Sequence, residues 1–270
     1  MDHLSTITVA GLLIIFGSME ILTGIWHDTG RRRDDWIIDV VSMTQLAFLI
    51  RPGILLTTAF LMGAIFPNLE GALAGMNFWV GLALVMLPDD FVHYWYHRLA
   101  HENNWLWPWH RTHHTTPSYH ISVGFRENWL WLTFMPGLWW TSSMVYFGLG
   151  LEFIVGATIV GAHNVWLHNG LDFDRKLYKK PIIGPLYSAL EHIFQSPSQH
   201  RGHHGIGKGG VPLGNYGQLL FIWDIMFGTA TFLKDQRPER YGITNDPKDQ
   251  WQAQLWWPFI KSKSKGSEIS

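Results

Sequence analysis

The stretch PDDFVHYWYHRLAH, residues 88–101, decides how the rest of the chain is read. Asp90, His93, His97 and His101 follow one another at intervals of 3, 4 and 4 residues. At about 3.6 residues per turn, those intervals set a carboxylate and three imidazoles along one helical face. An apolar run, residues 76–96, leads into them. The pattern predicts a helix leaving a membrane with ligand-type side chains at its end. Neutral imidazole is the commonest transition-metal ligand, and HxxxH at 97–101 offers two. A charged Asp90 in such a run is costly unless it is partnered. The role expected of it, with His93 beside it, is to accept the outer N–H of a metal-bound imidazole and so fix that ring's tautomer.

Outward from this stretch the histidines continue in spaced groups: His110, His113 and His114 in HRTHH, His168 in WLHNG, and His200, His203 and His204 in HRGHH. With His97 and His101 they make nine candidate ligands, enough for two ions. In HxxHH the imidazoles at the first and fourth positions are expected to share a face, and the neighbouring fifth-position histidine to reach sideways. Such repeated spacing in one chain outweighs the ordinary reading of any single histidine as a hydrogen-bonded core or surface side chain. His3, His27, His120 and His192 fall outside the groups and are expected to face solvent.

The 270 residues are 47% hydrophobic and only 15% charged, with 16 Trp, 16 Phe and no Cys. The missing cysteine excludes disulfides, thiolate ligands and CxxC redox chemistry. A net charge of −1 excludes the basic face a nucleic-acid binder needs. Apolar segments cover residues 4–26, 54–66, 76–96, 129–147 and 151–167. The first and third reach the roughly 20 residues a bilayer requires. A cleavable signal would want a basic leader before the first segment, where Asp2 and His3 stand. The last two segments, joined through Gly148, Leu149 and Gly150, predict a tight helical hairpin. Residues 36–50 are apolar but hold Asp39 and Gln45 and end at Arg51-Pro52. They suit an interfacial helix or a kinked spanning one. The tryptophans suit anchoring at the interface.

Arg31, Arg32 and Arg33 follow the first segment, Arg98, Arg111 and Arg126 surround the first two histidine groups, and Lys176, Lys179 and Lys180 precede the last. The opposite loops, 67–75 and 148–150, have no Lys or Arg. The positive-inside rule then puts every histidine group on the cytoplasmic face. The expected fold class is all-α, an integral membrane helical bundle with a cytoplasmic helical cap holding a histidine-rich dimetal site. The expected divisions are 1–84 for N-terminal membrane helices and the interfacial segment, 85–232 for the catalytic domain, and 233–270 for a cytoplasmic tail. The end of that tail, KSKSKGSEIS, reads as disordered. GIGKGG at 205–210 matches GxGxxG but follows no strand, and it reads as a flexible turn beneath the metal.

The order of an Asp-bearing helix, HxxxH, HxxHH, a lone His after an apolar hairpin, and a second HxxHH resembles the fatty acid hydroxylase/sterol desaturase superfamily of membrane di-iron oxygenases. The likeness continues through SPSQHRGHHG, NYG at 215–217 and WDIMFGT at 223–229, and so covers roughly residues 85–230. EHIFQSPSQHRGHHG and residues 117–126 are most similar to the bacterial lipid hydroxylases and alkylglycerol monooxygenases. The resemblance implies two Fe ions, O2, and a C–H bond of a membrane lipid as the target of hydroxylation or desaturation. It also implies an external electron donor, either a protein or a reduced pterin. Zinc could fill the same imidazoles in recombinant protein. Leu213 and Ile225 stand where relatives often have Asp and Arg. Asn164 stands where some have a further His, and it could orient a metal-bound water. Two other classes compete. A zinc-dependent membrane hydrolase would want a general base between its ligands, as in HExxH, whereas Glu102 merely follows His101. A metal transporter would usually hold its ligands midway through the bilayer.

Overall fold

The computed structural model describes residues 2–27 and 29–261, with side chains from residue 7 onward. All of the terminal KSKSKGSEIS except Lys261, and the side chain of His3, lie outside the described residues. The chain is mostly helical, 60% helix against 2% strand. The first helix is α1 (Asp2–Leu22). The next two, α2 (Arg33–Gln45) and α3 (Arg51–Ile65), are joined by a π-helical turn, Leu46–Ile50. They are followed by α4 (Phe78–Glu102), α5 (Trp107–His114), α6 (Trp129–Thr133), α7 (Pro136–Tyr146) and α8 (Gly150–His168). The C-terminal third adds α9 (Phe173–Tyr178), α10 (Ile183–Leu190), α11 (Pro197–His203), α12 (Ile222–Met226) and α13 (Trp251–Leu255). One small antiparallel ladder joins β1 (Gly205–Ile206) to β2 (Arg240–Tyr241).

Among the described residues two helices are long and apolar enough to cross a membrane, Arg33–Ile65 and Gly150–His168, and the part of α1 with described side chains, Ile7–Leu22, is apolar as well. Residues 36–50 and 54–66 thus form one 33-residue helix rather than two separate segments. Pro52 has no N–H, and the widened turn just before it lets the helix pass the proline without ending. At 1.5 Å per residue this helix is about 50 Å long, well beyond a hydrocarbon core of about 30 Å. Its two ends differ accordingly. Asp35, Asp39, Ser42 and Gln45 are buried against the rest of the protein, whereas Phe48, Leu56 and Phe60 stand outward, each more than 70% exposed.

The run at 76–96 becomes part of α4, which Asn77 caps by accepting from the Trp79 and Val80 amides at 3.0 and 3.4 Å. This helix has the length to span, but Asp89, Asp90 and three histidines keep it out of the apolar pair. The expected hairpin arm at 129–147 is also broken. It divides into α6 and α7 at Pro136, and α7 measures about 16 Å, too short to span alone. The return arm, α8, is continuous, and the turn before it passes through Gly148 at φ 104°. There a Cβ would lie 2.9 Å from the Ala74 amide nitrogen, so glycine is required both by its backbone angle and by the close approach. Because α4 packs on α7 and α8, and α8 on α1, the ends of α4 and α8 are brought together with α5 and α11.

Candidate metal centre

Two of the histidine-bearing helices start with local chemistry that the sequence shows. In SPSQH, Ser196 accepts from the Gln199 amide at 3.3 Å and Gln199 accepts from the Ser196 amide at 2.8 Å, a reciprocal cap that starts α11 four residues before His200. Pro108 occupies the first turn of α5, where a missing N–H costs nothing. The tertiary fold then gathers all nine spaced histidines, every one buried, into two groups. One group holds His97, His101, His110, His114 and His203, the other His113, His168, His200 and His204, and within each group the candidate ligand atoms lie within 4.8 Å of one another.

Both HxxHH motifs straddle the pair. The sharing differs from the expected first-and-fourth pairing: His110 and His114, four residues and about one turn apart, join the five-histidine group, while His113 crosses to the other. In the second motif His200 and His204 join the four-histidine group and His203 crosses back. Neighbouring side chains leave a helix about 100° apart, so adjacent imidazoles can serve different ions. The groups abut, with the rings of His114 and His204 stacked at 4.4 Å.

Carbonyl partners on the outer ring nitrogens fix the tautomers. His97 Nδ1–H donates to the Tyr216 carbonyl at 2.8 Å, His203 to that of Gly214 at 2.9 Å, and His168 to that of Asn164 at 3.0 Å. A carbonyl only accepts, so in these three rings Nε2 is a bare lone pair aimed inward. The inward Nε2 atoms of His97, His101 and His203 have no hydrogen-bond partner. Others face each other across 3.3 Å for His113 and His168, 2.9 Å for His168 and His200, and 3.1 Å for His110 and His114. Edges of this length arise when bonds of about 2.0–2.1 Å radiate from one cation. Burial pushes the imidazoles of His110, His113, His114, His200, His203 and His204 well below their ordinary pKa, with neighbouring histidines adding to the shift. They are therefore neutral and able to bind metal. The residues fit a pair of cations.

The other expected site residues sit elsewhere. Asp90 accepts from the Leu219 amide at 2.9 Å, the Leu220 amide at 3.1 Å and the Trp223 indole at 2.8 Å, so its hydrogen bonds go to a loop and not to an imidazole. That loop begins just past Tyr216, whose carbonyl orients His97, and the effect of Asp90 on the metals is correspondingly indirect. His93 lies outside both groups, its ring 5.8 Å from that of His97. The Asn164 side-chain amide donates to the Gly124 carbonyl at 3.1 Å, while its backbone carbonyl orients His168. Glu102 is exposed and pairs with Arg98 at 2.9 Å. His27 and His192 are exposed as expected. His120 is not. It is fully buried, 2.7 Å from Arg31 and stacked on Trp36, because the chain before α2 folds over it.

One acid was missed. Glu127 is buried with one carboxylate oxygen 3.2 Å from His113 Nδ1 and the other 3.7 Å from His110 Nδ1, so it faces the outer edge of one imidazole from each group. Burial drives its pKa well above the carboxylate range, and its charge is favourable only beside compensating cations. Its separation from His113 follows no helical repeat, and a lone acid before an apolar helix gave no other signal. Several arginines of the cationic side are likewise interior. Arg31 pairs with Asp39, Arg111 with Asp249, and Arg126 with Asp35 and Asp39. The solvated charge near the histidines comes instead from Arg33, Arg175, Lys176, Lys179 and Lys180.

Gly124 packs closely against the four-histidine group at His168. A Cβ there would lie 2.9 Å from both His168 Nδ1 and Asn164 Nδ2. Gly124→Ala is therefore expected to push the His168 ring off its position and weaken metal binding in that group first. Chelator titration resolving the two ions checks this, and equal weakening of both would contradict it.

The fatty acid hydroxylase family model matches residues 82–229, more than half of the chain. The chain belongs to the fatty acid hydroxylase family. Among curated proteins it is similar to the alkylglycerol monooxygenase of Xenopus tropicalis, 32% identical over 167 residues, which is 60% of this chain and 32% of that protein. The human alkylglycerol monooxygenase is also 32% identical, over 58% of this chain and 31% of its own length. The ornithine lipid hydroxylase OlsE of Rhizobium tropici is 31% identical over 70% of this chain and 53% of its own length. The match thus spans about a third of the alkylglycerol monooxygenases and about half of the lipid hydroxylase. No solved structure matches.

Proposed function

We propose that this chain is a membrane-embedded, O2-dependent monooxygenase that hydroxylates an aliphatic C–H bond of a lipid, with two irons held by the nine imidazoles. The observation that carries this reading is the division of those imidazoles into two buried, abutting groups whose known tautomers aim lone pairs inward. Iron would supply the reduction of O2 and the attack on an unactivated C–H bond, which has no acid or base handle. The protein's own residues do the rest. The carbonyls of Tyr216, Gly214 and Asn164 hold ring orientation, and Glu127 balances charge beside both ions. Burial keeps bulk water out. The chain has no flavin, haem or iron–sulfur motif, so the electrons come from a separate donor, a protein or a reduced pterin. The family and the lipid-modifying relatives support a lipid substrate. The exposed apolar flanks of the two long helices support a membrane setting, and the exposed cations near the histidines support a cytoplasmic position for the centre. The zinc hydrolase reading loses its candidate base, since Glu102 points to solvent and Glu127 sits on the outer edges of the rings.

The deciding experiment compares the lipids of cells with and without the gene under isotopically labelled O2. One labelled oxygen in a lipid, dependent on the gene, is the expected result. Hydrolysed lipids without incorporation of O2 would overturn the proposal.

Glu127→Gln keeps the volume and removes the charge. Outer partners of ligating imidazoles typically contribute 10–100-fold in metal affinity. Because Glu127 touches a ring from each group, both ions should bind more weakly, as measured by competition with a chelator. Weakening confined to one ion would refute the shared role.

A further inference from the structure

We propose that the segment from α9 through α10 lies in the headgroup layer of an anionic bilayer, as a second membrane contact beside the spanning helices. This rests on the membrane reading above and adds a surface that reading does not require. Ile182 and Leu186 are 85% and 61% exposed, and Ile183, Leu190, Ile193 and Phe194 are each at least 40% exposed. Residues 183, 186 and 190 share one face of α10. The opposite face is fixed to the protein. A Cβ at Gly184 would lie 2.5 Å from the Tyr178 carbonyl, so glycine lets α10 seat on the end of α9, and the buried Glu191 accepts from Ser196 Oγ at 2.5 Å. The apolar face is therefore held outward, and among the described residues nothing covers it.

What covers it is indicated by charge. Immediately before this face stand Arg175, Lys176, Lys179 and Lys180, all exposed. Arg175 reaches Asp172 at 3.8 Å, and the three lysines make no ion pair among the described residues. Cations beside an apolar helix face match a bilayer surface, with phosphates above and acyl chains below. The apolar surface also continues toward the membrane helices. The Phe221 amide donates to the Ile193 carbonyl at 2.8 Å, leading into α12 with its exposed Ile222, Ile225 and Met226, and Trp223 packs on Phe91 of α4 at 5.1 Å. Ile225, where relatives often carry Arg, extends that surface. Since α10 leads through the Ser196 cap into α11, its contact with lipid would hold His200, His203 and His204 at the bilayer boundary.

The chain has no cysteine, so single cysteines report cleanly. Full-length protein carrying Leu186→Cys with an environment-sensitive fluorophore is reconstituted in vesicles of phosphatidylcholine with phosphatidylglycerol. The label should be quenched by doxyl lipid and shielded from aqueous iodide. Phe60→Cys on the long helix tests the membrane reading separately. Lipid quenching at 60 with iodide quenching at 186 overturns this proposal alone, while iodide quenching at 60 overturns both. Replacing Lys176, Lys179 and Lys180 with Gln should shift the contact equilibrium of the 186 label toward water by about fivefold per lysine. Unchanged quenching in that variant overturns the headgroup contact.

Discussion

In the His200→Ala protein, metal analysis is expected to return one ion per chain instead of two, with no lipid hydroxylation. In the His101→Ala protein, both ions should remain while turnover falls. The asymmetry follows from the division of ligands. His200 belongs to the four-histidine group, whose loss leaves three imidazoles, whereas His101 belongs to the five-histidine group, which keeps four. Four nitrogen donors complete a tetrahedral sphere, and three leave it open to exchange. His204→Ala and His113→Ala should behave like His200→Ala, and His203→Ala like His101→Ala. Equal metal loss in all of these variants would mean that the two groups do not hold separate ions. Zinc in place of iron would leave the stoichiometry test intact, since imidazole sites bind zinc more tightly than ferrous iron.

Arg126→Met is expected to cost about 3–5 kcal/mol of stability, the range for removing one partner of a buried ion pair. The guanidinium is completely buried. It donates to Asp35 at 2.7 Å, Asp39 at 3.2 Å, the Thr112 carbonyl at 2.8 Å and Thr115 Oγ1 at 2.9 Å. Removing it leaves two carboxylates in a dry interior, with Arg31 still paired to Asp39 and the half-exposed Arg32 guanidinium 3.9 Å from Asp35. The exposed Arg98–Glu102 pair serves as the contrast, and breaking it should cost under about 1 kcal/mol. Thermal unfolding in detergent measures both. Adding Asp35→Leu and Asp39→Leu to Arg126→Met should recover part of the loss, because the penalty comes from stranded charge. Similar melting of Arg126→Met and the parent protein would show that water reaches this cluster.

The Arg126 cluster also explains where the sequence misled. Asp39 and Gln45 made residues 36–50 look interfacial, since a helix in hydrocarbon should not hold them. In the fold four polar residues of α2 turn inward to the loop behind the clustered histidines: Asp35 and Asp39 reach Arg126, Ser42 Oγ donates to the Glu127 carbonyl at 2.8 Å, and Gln45 donates there at 3.3 Å. The first half of the helix positions the centre, and the second half is the apolar one. A polar residue at an interface and one satisfied by a distant arginine look alike in a one-dimensional pattern. Arg111 and Arg126 show the same ambiguity, because their counting as cations of one membrane face ignored aspartates far away in sequence.

By itself the sequence determined the nine histidines, the helices that carry most of them and the His97–His101 pair one turn apart. Each of these follows from the helical repeat, which acts over a few residues and needs no knowledge of the rest of the chain. Only the tertiary structure decided that His203 joins His97 while His204 joins His168, that Glu127 lies against both groups, and that Asp90 holds a loop instead of a ring. Those contacts join residues tens to more than a hundred positions apart. They are set by how α4, α5, α8 and α11 pack, which no local period encodes.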